Sequence, residues 1–275
     1  QMQPEPLAPG QLQIAIVGAG ATGVELAAEL HRAARSLVAY GLDRIDPETD
    51  IGINLIEAAP HVLPSLPERL QEATEAKLDE LDITVHCGEQ VTEITKNQIK
   101  TKSGNSIDAD IKVWCAGVRG PQFFEAMADL PMNRAYQIEV DETLQVTGED
   151  DIYALGDCAA CALPGSDKPV PPRAQAAYQQ AYALAATFAS TLSGGEAKPF
   201  VYKDYGSLIS LSYSAVGDLM GNLFGTMMIE GLLARLTYLS LYRKHQLSLH
   251  GLRWLILTVA ASLFMRGTRP ELKLH

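Results

Sequence analysis

Gly18, Gly20 and Gly23 stand where an apolar run meets an alanine-rich one in IAIVGAGATGVELAAEL, residues 14–30. Their G-x-G-x-x-G spacing meets three steric demands. The first glycine permits a tight strand-to-helix turn, the second lets the backbone approach a pyrophosphate, and the third lets the helix pack on the strand. A turn of this kind delivers a dinucleotide pyrophosphate to the helix N-terminus, where free N–H groups and the helix dipole favour negative charge. Glu57 closes the next apolar run, IGINLIE. A carboxylate there can accept hydrogen bonds from an adenosine ribose diol and repel a 2′-phosphate. It lies beyond the usual spacing of ~20 residues, an excess that the polar insertion DRIDPETD accounts for, and the next arginine is Arg69. NADH is therefore expected over NADPH; a solvated strand-end glutamate is the alternative.

The elements needed to position these residues are legible around them. LQIAIVGAG reads as a strand, residues 21 to about 40 as a helix, IGINLIE as a second strand and Glu68–Leu81 as a second helix. ITVHCGEQVTEI alternates as a strand, two short strands flank Ser103-Gly104-Asn105, and KVWCAG is a further apolar strand. This β-α-β order with a small antiparallel crossover predicts an α/β, Rossmann-like nucleotide-binding domain over residues 13–120, preceded by a lead segment, 1–12. From Gln137 strands and turns run to Gly156-Asp157, a Pro-rich loop follows, and a long helix is predicted over 174–192.

Composition narrows the classes. Hydrophobic residues make up 47% of the 275 and charged ones 20%, as in an ordinary folded protein. The 22 basic and 33 acidic side chains are unevenly placed: seven of the basic ones and one acid lie from Arg235 onward, so a body of −17 precedes a tail of +6. The acidic body argues against nucleic acid as a partner, and the basic tail points to an anionic surface. The four cysteines, Cys87, Cys115, Cys158 and Cys161, fit a reducing, cytoplasmic setting. QMQPEPLAPG carries no signal-peptide pattern and begins with Gln, so the chain is expected to be an internal segment of a longer one. Cys158 and Cys161 form C-x-x-C, which is open to a redox disulfide, half a metal site or structural thiols. The last is favoured and no metal is expected, because zinc needs about four ligands and neither a second cysteine pair nor a nearby histidine accompanies them.

VGAGATGVELAAEL, VWCAGVRGP, DDIYALGDCA, VPPRAQAAYQQA, SLYRKHQLSLHG and the terminal RPELKLH occur in an order that resembles the bacterial branch of the type II NADH dehydrogenases. These are single-subunit, non-proton-pumping, membrane-peripheral NADH:quinone oxidoreductases of the two-dinucleotide-binding flavoprotein type. By order, the one glycine turn here resembles the family's second, NADH-binding turn, and the resemblance implies that the first FAD-binding half is missing. It implies FAD and NAD as cofactors, residues 121–225 as the second part of the FAD-binding domain, and residues 226–275 as membrane-associating helices. Gly156 and Asp157 resemble the Gly-Asp motif that returns to the flavin, with helix capping as the alternative for Asp157. Glu25 resembles the family glutamate near nicotinamide and flavin; otherwise it complements the helix dipole. Gln175 and Gln179 share a helix face and resemble the A-Q-x-x-x-Q pattern beside the flavin ring, where neutral amides can hydrogen-bond a quinone carbonyl; otherwise they are surface glutamines. Ala116 and Gly117 leave room beside NADH, or serve packing.

The resemblance thus implies hydride transfer from NADH to FAD and passage of two electrons to a membrane quinone, at the cytoplasmic face of the inner membrane, and it is compatible with a homodimer. The alternatives are a soluble FAD-dependent pyridine nucleotide reductase and a non-catalytic, membrane-associated nucleotide-binding module. In the tail, about twelve uncharged residues separate Arg253 from Arg266 and span ~18 Å as helix, short of the ~30 Å hydrocarbon core. This stretch is expected to lie in the membrane interface, its apolar side chains buried and its basic ones against anionic headgroups.

Overall fold

The computed structural model describes residues 12–39, 46–127, 129–163, 169–211, 214–221 and 225–265. Nearly all of the expected lead segment and the RPELKLH motif lie outside the described residues. The chain divides into two units, the first comprising residues 1–116 and 205–275 and the second residues 117–204.

The first unit is built on a parallel sheet of four strands, β1 (Leu12–Val17), β2 (Ile51–Ile56), β3 (Ile83–His86) and β7 (Ile111–Trp114), in the order β3-β2-β1-β7. β1 sits between β2 and β7 and must be apolar on both faces, which its unbroken run of buried residues satisfies. On one face Ile16 and Leu55 pack with Val24, Ala27 and Ala28 of helix α1 (Ala21–Ala39) and Leu70 and Leu78 of α2 (Glu68–Asp79). On the other, Ala15, Val17 and Ile56 meet Ile99 and Ile107 of an antiparallel sheet formed by β4 (Val91–Ile94), β5 (Gln98–Thr101) and β6 (Ser106–Asp108), together with Ala109 just after β6. The Rossmann-like α/β expectation holds. The run read as one strand, ITVHCGEQVTEI, is two: Gly88, at φ 74°, breaks it and sends β3 and β4 into different sheets.

Residues 206–225, expected with the flavin portion, and 226–230, expected with the tail, share one sheet that belongs to the first unit. β10 (Gly206–Leu211), β11 (Ser214–Gly221) and β12 (Gly225–Glu230) form an antiparallel sheet. Ile209, Leu211 and Val216 are buried in the same core as α1, and that shared apolar contact decides which unit the sheet belongs to. The expected boundary at 225 thus falls inside this sheet, after the first residue of β12.

The tail forms α4 (Gly231–Phe264), broken at Gly251, whose φ 79° and ψ 171° are not helical. Arg243 Nη2 lies 3.4 Å from Ser262 Oγ, 19 residues on. In an unbroken helix the two would be ~28 Å apart along the axis, so the chain reverses at Gly251 into a helical hairpin with arms 231–250 and 252–264. The His250 and Trp254 rings meet across the bend, their centroids 4.3 Å apart. By length and composition Leu236–Phe264 could cross a membrane, with mean hydropathy 1.5. The reversal divides that length, and the second arm spans only ~20 Å. Leu236, Leu239, Tyr242, Leu252, Leu257 and Phe264 are exposed along the arms.

The second unit pairs β8 (Ile138–Val140) with β9 (Ala159–Cys161) in parallel and packs α3 (Ala174–Leu192) into a core that includes Val140, Leu144, Val146, Cys161, Ala176, Leu184 and Phe200.

Candidate functional site

In the first unit the glycine turn shows why each glycine is needed. Gly18 adopts φ 100°, and a Cβ there would lie 2.7 Å from both the N and Cα of Ala116, just beyond the end of β7. At Gly23 a Cβ would lie 1.9 Å from the Gly18 carbonyl oxygen, so only glycine lets α1 close onto the turn. At Gly20 a Cβ would meet nothing within 4 Å. Space kept open at the second glycine, at the start of α1 with its free first-turn N–H groups, fits the close approach of a pyrophosphate.

Glu57 follows β2 with its carboxylate turned onto this turn: Oε2 accepts from Ala19 N at 2.7 Å and Oε1 from Ala59 N at 2.9 Å. A carboxylate has about four acceptor positions, so two hydrogen bonds leave capacity for a ribose diol. The loop after Glu57 is tied to the same place, because Leu63 N donates to Ala19 O at 2.8 Å. Gly18, Ala116 and Glu57 are thus brought together. Gly117, first residue of the second unit, takes φ 80° with open space at its Cβ position.

Glu25 is not a first-turn partner of the α1 dipole, since that turn carries no acid. Its Oε1 accepts from Ser210 N of β10 at 2.8 Å, so it ties α1 to the second sheet. Burial pushes its carboxyl pKa up, the Ser210 hydrogen bond opposes the rise and the Glu29 charge adds to it. Burial also raises the Tyr238 phenol of α4, helped by the charges of Glu25 and Glu29.

In the second unit Gly156 (φ 72°) opens a short 3-10 turn, Gly156–Cys158, that leads into β9 rather than into a helix. The helix-cap alternative for Asp157 therefore does not apply, and its side chain stands exposed. An exposed acceptor on a turn packed against α3 suits a polyol chain. Gln175 and Gln179 do share a face of α3, and both hold the segment that returns after it. Gln175 Oε1 accepts from Tyr202 Oη at 3.0 Å, while Gln179 accepts from Lys203 N at 3.0 Å and donates to Lys203 O at 2.8 Å. Of the C-x-x-C pair, Cys161 is buried in the unit's core, which pushes its thiol pKa up, and Cys158 packs beside that core with its Sγ donating to Leu155 O.

The residue that sequence reasoning missed is Gln180. It is 2% exposed, and its Oε1 accepts from Gly156 N at 2.7 Å. The signal was present: Ala176, Gln180 and Leu184 form the buried stripe of α3 at steps of four, which makes Gln180 a polar residue on an apolar face.

A parallel sheet whose first strand enters a glycine turn, with an antiparallel three-stranded insertion before its last strand, defines a dinucleotide-binding α/β protein. More narrowly, the chain belongs to the pyridine nucleotide-disulphide oxidoreductase family, which it matches over residues 2–181. A type II NADH:quinone oxidoreductase of Haemophilus influenzae is 42% identical over 268 residues, 96% of this chain and 60% of that protein. One of Mycobacterium tuberculosis is 31% identical over 242 residues, 84% of this chain and 50% of that protein. The chain thus spans half to three fifths of the length of these curated relatives. Among solved structures, an NDH2 of Plasmodium falciparum in complex with NADH superposes with a TM-score of 0.77 at 20% identity, over 96% of this chain and 68% of that one. That likeness is one of fold.

Proposed function

We propose that this chain carries the NADH-binding unit, part of the flavin contact and the membrane-facing tail of an NADH:quinone oxidoreductase. The observation that carries this reading is the 42% identity, over 96% of the chain, with a relative of that name. The open space at Gly20 and the Glu57 carboxylate beside it support NADH as the nucleotide. Gly18, Gly20 and Gly23 receive the pyrophosphate, Glu57 the adenosine ribose, and Ala116 and Gly117 leave room for the remainder. Gly156 and Asp157 hold the polyol side of FAD. Glu25, Gln175 and Gln179 serve the ring and acceptor side, where a neutral amide can hydrogen-bond a quinone carbonyl without fixing a charge. FAD, when bound, supplies the two-electron chemistry between NADH and the quinone, and the residues named here bind and orient.

The α4 hairpin is the membrane contact. Its exposed leucines and aromatics enter the interface while Arg243, Lys244 and Arg253 meet anionic headgroups, each worth ~1 kcal/mol near the surface. On this reading the protein sits peripherally on the cytoplasmic face of the cell membrane, in a form compatible with a homodimer. The test is turnover of the full-length flavoprotein in anionic liposomes containing a quinone. NADH oxidation coupled one to one with quinone reduction is expected. NADH oxidation indifferent to the quinone, with oxygen or a disulfide as the acceptor instead, overturns the reading.

A further inference from the structure

Two glutamines clamp the turn that carries Asp157. Gln180 Oε1 accepts from Gly156 N at 2.7 Å, and Gln137 Nε2 donates to the Asp157 carbonyl oxygen at 2.8 Å. The first bond holds the Leu155–Gly156 peptide and the second the Asp157–Cys158 peptide, so the backbone is tied at both ends of the two-residue stretch Gly156–Asp157 from which the carboxylate leaves. Gln137 reaches in from a half-buried position, its own amide held by Asn133, whereas Gln180 is sealed into the core. Gln180 also acts on the Cys161 thiol, opposing the rise that burial gives its pKa, so the same side chain stands at the entrance to the turn and near the strand that leaves it. With its oxygen accepting from the Gly156 N–H inside the core, the Gln180 amide is held in place at the entrance to the turn. Gly156 completes the fit: its left-handed backbone turns the N–H toward α3, and a Cβ there would lie 3.4 Å from Ala177 Cβ, so the turn rests directly on the helix.

We propose that Gln180 is a positioning residue for the flavin contact: by holding Gly156 N it sets the direction of the Asp157 carboxylate and couples it to α3. The inference rests on the flavin role proposed above for Gly156 and Asp157. α3 then bears Gln180 toward the Gly-Asp turn, with Gln175 and Gln179 a turn and a step earlier on the same helix. A shift of this helix along its axis moves the flavin-side carboxylate and the acceptor-side amides together.

The experiment uses the full-length holoenzyme and reads FAD affinity by flavin fluorescence on dilution, NADH affinity by titration, and amide hydrogen exchange over residues 155–161. Gln180→Leu keeps the volume but leaves Gly156 N–H buried without an acceptor, at a cost that corresponds to about tenfold or more in affinity. We expect FAD binding weakened about tenfold, faster exchange across the turn, and NADH affinity within twofold of the parent. Gln180→Glu, which as a neutral acid offers both a carbonyl and an O–H, is expected to recover most of the loss at pH 5 and less at pH 8. Cys161→Ala, which removes only the sulfur partner, is expected to leave FAD affinity within about twofold. Unchanged FAD affinity in Gln180→Leu, or a loss that Cys161→Ala reproduces and Gln180→Glu does not recover, overturns the proposal, because core packing then accounts for the effect. A parent protein that holds no flavin overturns the functional reading along with it, whereas a flavin-loaded parent with an indifferent Gln180→Leu overturns this inference alone.

Discussion

Alanine at Gly20 and at Gly23 is expected to have opposite consequences. Gly20 lies outside the left-handed region and its Cβ position is empty to 4 Å, so the folded chain accepts a methyl there without displacement. Losing a glycine's backbone freedom in the unfolded state favours the variant by about 0.4–1 kcal/mol, and the poorer N-terminal cap offsets that by a few tenths to about 1. Stability should therefore move by less than ~1 kcal/mol, or about 2–4 °C in Tm. The methyl nevertheless fills the space through which a pyrophosphate must approach the backbone, and NADH affinity should fall at least tenfold, about 1.4 kcal/mol. At Gly23 the methyl would sit 1.9 Å from the Gly18 carbonyl oxygen, well inside any van der Waals contact. Helix and turn must separate by about 1.5 Å to restore contact, with overpacking costs of about 3 kcal/mol and a Tm lowered by about 6–12 °C. Thermal unfolding by circular dichroism and NADH titration by fluorescence, both on each variant, separate the effects. Gly20→Ala binding NADH as the parent does, or Gly23→Ala unfolding at the parent's temperature, refutes the reasoning.

Further outcomes follow from the same geometry. Glu57→Gln sets an amide N–H against one of two backbone donors, Ala19 N or Ala59 N, and removes a charge; the ratio of kcat/KM for NADH to that for NADPH should fall about tenfold, and an unmoved ratio rules Glu57 out as the discriminator. Burial raises the Glu25 pKa, so its contribution to stability is fully present below the ordinary carboxylate range and is lost as pH rises through the folded value. Glu25→Gln, which can still accept from Ser210 N, should accordingly raise Tm at pH 7 and leave it nearly unchanged at pH 4; a gain confined to pH 4 contradicts the assignment. Gln175→Ala should slow quinone reduction by about tenfold or more while flavin reduction by NADH stays within twofold in stopped flow, and equal slowing of both steps moves Gln175 off the acceptor side. Deleting residues 226–275, which removes β12 along with the hairpin, should abolish sedimentation with anionic liposomes; binding that survives, or that ignores salt, removes the tail as the anchor.

The glycine turn was legible because its demands are local: strand, three glycines and helix lie within a few residues, and each steric need maps onto one position. Glu57 was legible for the same reason, as a carboxylate ending an apolar run. The β10–β12 sheet was not, because nothing in SLISLSYSAVGDLMGNLFGTMMIE says which core its apolar residues will join. That is settled by Ile209, Leu211 and Val216 meeting α1, some 180 residues earlier. Glu25 illustrates the same limit, since its partner is the Ser210 amide and no local pattern announces it. Gln180 was hidden for a different reason. It stands next to Gln179, whose spacing from Gln175 drew the functional reading, and only the burial of every fourth residue on α3 marks it as the glutamine turned inward. The reversal at Gly251 is a backbone choice that glycine permits but does not compel, and the contact between Arg243 and Ser262 makes it visible.

The most direct test of the account is an anaerobic half-reaction. Full-length flavoprotein mixed with one equivalent of NADH should lose its flavin absorbance in a single turnover, NADPH should do so at least tenfold more slowly, and one equivalent of quinone should then restore the oxidised spectrum. Flavin that NADH leaves oxidised, or reduced flavin that a quinone fails to reoxidise, contradicts the claim that this chain binds NADH for delivery of its electrons to a membrane quinone.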